Sequence, residues 1–122
     1  MPIPENLRDV FEMVSKATDD GRARWKPGPF PGMFFLALED FSVQLWSKIK
    51  RGTLGPDSQV EEIVMNLLDS NGERFQGFAL DFNDSDFKNL ATLINKAAQA
   101  AKNRADERLS KFKQQLAEKL GA

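Results

Sequence analysis

The chain has 122 residues, 41% hydrophobic and 29% charged, which is enough apolar material for one packed core and too much for a disordered segment. Its 17 basic and 18 acidic side chains leave a net charge of −1, so nothing pulls the whole molecule toward nucleic acid or anionic membrane. Cys, His and Tyr are all absent, which excludes disulfides, thiolate and imidazole metal sites, the commonest general base and the phenol acids.

Residues 1–21 predict a helix. Leu7, Val10, Phe11, Val14 and Ala17 recur at threes and fours and make one apolar face. Pro4 suits the first turn, Glu5 complements the positive helix end, and Gly21 after Asp19-Asp20 suits a left-handed cap. This N-terminal stretch alternates charge with apolar residues and has no core of signal-peptide length. The longest apolar run, MFFLAL at 33–38, is far too short to span a bilayer. The expectation is a cytoplasmic protein with no membrane partner.

Residues 22–32 contain WKPGPFPG, with proline at every second position rather than at PxxP spacing. They read as a stiff connector from helix to first strand, with Trp25 packed beneath it. Phe30 and Met33 are candidate partner contacts at its far end.

Residues 33–82 predict a four-stranded antiparallel meander, with strands at 33–40, 42–49, 61–69 and 73–82. Val43, Leu45 and Ile49 share one face, and Gln44, Trp46 and Lys48 the other. Ser70-Asn71-Gly72 between two apolar runs marks a hairpin turn, and the Gly- and Pro-bearing 51–60 marks a loop. Phe78, Leu80 and Phe82 share a face while Phe75 is out of phase; a bulge near Gly77 restores it.

Residues 84–120 predict a C-terminal helix or helix pair. Asp84 or Ser85 can cap it, with Asp86 in the first turn. Its apolar stripe runs Phe87, Leu90, Ile94, Ala97, Ala101, Ala105, Leu109, Phe112, Leu116 and Leu120, with no Gly or Pro inside. One continuous helix here measures about 51 Å, against roughly 35 Å for a body of this size. The helix therefore overhangs the body or breaks, and Asn103 to Asp106 is the expected break.

No motif carries a reaction. DFNDSD at 81–86 begins like a calcium loop, but the sixth position is Asp86 instead of Gly and the twelfth is Thr92 instead of Glu. DSNGE at 69–73 fails in the same way, and RGTLGPD lacks the Gly-Lys-Ser/Thr of a phosphate loop. No Ser, Thr, Lys or Asp is marked as a nucleophile by its neighbours. The expectation is no catalytic residue, no metal and no cofactor.

Charge is segregated along the chain. Residues 57–86 hold eight acids against Arg74, a net −7, and residues 87–122 hold eight bases against three acids, a net +5. The bases split to two flanks of the terminal stripe, with Arg104, Arg108, Lys111 and Lys119 on one and Lys88, Lys102 and Lys113 on the other. A phosphate-reading surface gathers its bases on one side, so this pattern argues against nucleic acid. It suits stems covering the stripe's edges, or pairing with the acidic sheet within the chain or across a dimer.

These features predict an α+β fold: a helix, the meander, then a long or broken helix packed on the sheet. The functional expectation is a small non-enzymatic protein-binding or regulatory module. It contacts a partner protein or a second copy through Leu109, Phe112, Leu116 and Leu120, together with Phe30 and Met33. The alternatives are a ligand-holding or catalytic cup lined by Trp25, Trp46 and the phenylalanines, and a weak nucleic-acid binder using the basic helix.

Overall fold

The computed structural model describes residues 2–51 and 59–121. Helix α1 (Glu5–Asp19) is followed by strands β1 (Trp25–Pro27), β2 (Met33–Ala37), β3 (Ser42–Arg51), β4 (Gln59–Leu68) and β5 (Arg74–Asp81), then helix α2 (Phe87–Leu120). The strands form one antiparallel sheet in the order β1-β2-β3-β4-β5, so the fold is the expected α+β meander with one more strand.

The extra strand corrects the reading of residues 22–32 as a plain connector. Trp25 pairs with Leu36 and Pro27 with Phe34, so the proline-rich stretch is the first arm of a hairpin. Proline is tolerated because β1 is an edge strand with no further neighbour to receive an N–H. Gly32 makes the hairpin possible. Its φ is 78°, and a Cβ there would lie 2.9 Å from the Ser47 carbonyl oxygen of β3.

Strand alternation puts Trp25, Leu36, Val43, Leu45, Ile63, Met65, Phe78 and Leu80 on one face, all buried. Both helices cover that face. Leu7 and Phe11 of α1 and Leu90, Leu93, Ile94, Ala97 and Ala101 of α2 complete the same core. Ile49 and Phe82 fall outside the covered area and are exposed.

The bulge exists, two residues earlier than expected. Leu67 pairs with Gln76 and Leu68 with Arg74, leaving Phe75 as the extra residue. The insertion turns Phe75 to the helix side, where its ring meets Phe41 edge-on at 5.6 Å. The hairpin at 70–72 forms as predicted, with Gly72 at φ 80°. Of the predicted loop 51–60, Arg51, Gln59 and Val60 belong to strands, and the rest lies outside the described residues.

Helix ends differ in detail. Pro4 precedes α1 at its N-cap position instead of entering the first turn. Gly21, at φ 75°, takes the left-handed conformation expected of it. At α2 neither Asp84 nor Ser85 is the N-cap: Asp86 holds that position but makes no capping bond. Its carboxylate instead accepts hydrogen bonds from the Ile3 N–H and from Arg8, both at 2.8 Å, tying the chain's first residues to the start of α2.

The N-terminal half of α2 buries one face, Leu90, Leu93, Ile94, Ala97 and Ala101, and the helix then continues unbroken to Leu120. The break expected at Asn103 does not occur. Gln99 Nε2 donates to Asn103 Oδ1 at 3.0 Å, an i,i+4 side-chain pair that supports the helical conformation across the expected break. Gly121, at φ 68°, closes the helix with its N–H on the Ala117 carbonyl oxygen. Among the described residues, no helix is long and apolar enough to cross a membrane.

Candidate functional site

Among the described residues, two groups of exposed apolar side chains stand out. The first is the distal half of α2. Its packed half nucleates the helix, so extension by good helix formers (Ala, Arg, Leu, Lys, Gln, Glu) costs only propagation. Ala101 is the last buried residue, lying with Arg104, Ala105 and Arg108 beside Trp25, Lys26 and Pro27 at the sheet edge. Residues 105–120 are exposed throughout, and beyond Arg108 the helix projects from the sheet edge by about 18 Å at 1.5 Å per residue. On it Leu109 (52% exposed), Phe112 (62%), Leu116 (39%) and Leu120 (71%) continue the stripe that upstream forms the core.

The flanks of this stripe are basic. At 100° per residue Arg108 and Lys119 border one edge and Lys113 the other. Glu107 and Glu118 lie on the far side of the helix, and Asp106 is the acid nearest the stripe. Long basic side chains in these places suit contact with an acidic partner as well as with water.

The second surface is a groove on the helix-bearing side of the sheet, away from α2. Met13 of α1, Leu38 and Phe41 of the β2–β3 turn, and Phe75 of the bulge form its walls, with Val43 and Leu67 beneath. These four wall residues are half-exposed or more, and the lining is almost wholly apolar. Sequence reasoning missed this groove. Leu38 and Phe41 flank Glu39-Asp40, where a turn would ordinarily be polar, and that was the available signal.

Phe30 and Met33 do not join the stripe. Met33 is 4% exposed, its side chain set over Gly28 with Gln44 Nε2 at 3.8 Å from its sulfur; it is corrected from contact residue to packed residue. Phe30 is exposed but lies on Trp46, the rings stacked at 5.9 Å on the sheet face opposite the helices. Trp25 and Trp46 also occupy opposite faces, as their partners Leu36 and Met33 show, and so line no common cup.

The open face answers most of its own polar groups. Lys50 pairs with Glu62 (2.9 Å) and Asp81 (3.0 Å), which raises the lysine pKa, and Lys48 lies 5.1 Å over the Trp46 ring. Asn66 bridges Gln44 and Arg74 through bonds of 2.7 and 2.8 Å. Part of the −7 stretch is thus spent inside the sheet rather than on α2. Among the described residues, the ion pair from α2's bases to an acid of α1 is Lys96 to Asp19, at the packed end.

These elements define an α+β protein in which a meander is covered on one face by two helices, the second of which projects. The chain matches no protein-family model, no curated protein and no solved structure.

Proposed function

We propose that this protein is a small non-enzymatic binding or regulatory module that engages a protein partner or a second copy through the projecting half of α2. The observation that supports this is the exposed stripe Leu109, Phe112, Leu116 and Leu120 on a helix with no body beneath it. Apolar side chains left in water at this spacing gain free energy on being covered, roughly 25 cal/mol per Å². A helix presenting anchors at i, i+3 and i+7 is the form in which such segments enter apolar grooves. The basic flanks favour an acidic partner surface and speed encounter with it.

The test is chemical cross-linking of the full chain in its native extract, followed by mass analysis. Leu109→Ser, Phe112→Ser and Leu116→Ser combined are expected to abolish the cross-linked species, whether these contain another protein or a second copy. An unchanged set of cross-linked species in the triple variant overturns the reading.

A further inference from the structure

We infer that the occupant of the apolar groove is the C-terminal segment of a second copy, each chain lending its α2 stripe to the other's groove in a closed dimer. This rests on the reading of the projecting helix as the contact surface and adds what it contacts.

The two uncovered surfaces have opposite shapes. The stripe is convex and one helix wide; the groove is concave, walled by Met13, Leu38, Phe41 and Phe75. A chain cannot fill its own groove. α2 sits against the flank of α1 that carries Arg8 and Asp19, bonded to Asp86 and Lys96, whereas the groove opens on the other flank through Val10 and Met13. With α2 continuous through Asn103, the stripe leaves the body past β1. Only another molecule's stripe can arrive.

Charge selects this pairing over stripe against stripe. Two stripes in contact would bring Arg108, Lys113 and Lys119 of one chain near the same bases of the other. Exposed carboxylates neighbour the groove residues along the chain: Asp9 one turn before Met13, Glu39 and Asp40 between Leu38 and Phe41, and Glu73 two residues before Phe75. Lys16 is the base on the same side of α1. Apolar stripe into apolar groove with basic flanks toward these carboxylates is complementary in both shape and sign. When two copies exchange stripes about a twofold axis, both stripes and both grooves are used and the assembly closes at two.

Light scattering on the full chain gives the mass, and circular dichroism confirms folding. The wild type is expected to be a dimer. Phe75→Asp in the groove, with its stripe intact, is expected to weaken dimerisation at least about tenfold, and so is Met13→Glu, at a site 71% exposed where folding is not at stake. Phe112→Ser should do the same from the stripe side. Mixing the Phe75→Asp and Phe112→Ser chains should restore association, since the pair retains one intact stripe and one intact groove. A wild type that stays monomeric at high micromolar concentration overturns the inference. So does a Met13→Glu chain that dimerises like the wild type; that result means stripe meets stripe and leaves the contact-surface reading standing. Masses that grow beyond the dimer overturn the closed arrangement.

Discussion

Trp25 Nε1 donates a 2.9 Å hydrogen bond to Thr18 Oγ1, and Thr18 Oγ1 donates in turn to the Val14 carbonyl oxygen at 2.8 Å. The indole, wholly buried, thereby fastens edge strand β1 to the last turn of α1. Trp25→Ala should cost ~3–5 kcal/mol, the range for truncating a large buried aromatic. Thr18→Val keeps the volume but strands the indole N–H, and should cost ~1–3 kcal/mol. Urea denaturation measures both; a loss below about 1 kcal/mol for Trp25→Ala, the level of a surface change, contradicts the seal.

Acid should loosen the N-terminal tie. The Ile3 N–H first, and Arg8 second, hold the Asp86 carboxyl below the usual range. The Asn83 N–H and then Lys50 do the same for Asp81. A carboxyl with a depressed native pKa contributes stability that is full above its unfolded value of about 3.9 and is lost as pH falls through the native value. Asp86→Asn should therefore melt below the wild type at neutral pH, and the two melting temperatures should converge below about pH 4. Curves that stay parallel to the lowest pH would assign the acid response to other groups.

Gly77→Ala should damage the sheet although the residue's φ is ordinary. A Cβ there would lie 2.5 Å from Asn66 Oδ1, 2.7 Å from Arg74 Nε and 2.8 Å from the Met65 carbonyl oxygen. The side chains can move only by giving up the Asn66–Arg74 hydrogen bond, and the carbonyl belongs to the β4 ladder. The expected cost is ~1–3 kcal/mol, as for overpacking elsewhere. A chemical-denaturation midpoint equal to wild type would show that the strand yields more cheaply than this.

Periodicity along the chain carried much of the architecture. Leu7 and Phe11 at helical spacing, and Val43 and Leu45 at strand spacing, are buried together because side chains a period apart must share a face. The SNG turn and the Gly21 cap were legible because glycine alone reaches positive φ without strain. The stripe Leu109 to Leu120 was legible as a stripe, and its exposure was one of two outcomes, since no Gly or Pro marked a break. Strand β1 was not legible: three residues show no period, and its proline argues for a connector until the strand is known to be at an edge.

What neighbours a face meets is a property of topology, and there the sequence by itself was silent. Met33 and Phe30 lie three residues apart, yet pairing of Met33 with Trp46 buries one and leaves the other outside on the indole. The apolar groove draws on α1, a turn, two strands and a bulge, segments separated by tens of residues, so no local pattern announces it. Alternation and spacing determine which side chains travel together, because backbone geometry repeats. Tertiary structure alone decides which of those sets are covered, because coverage depends on the number of strands, the bulge at Phe75 and the straightness of α2 past Asn103.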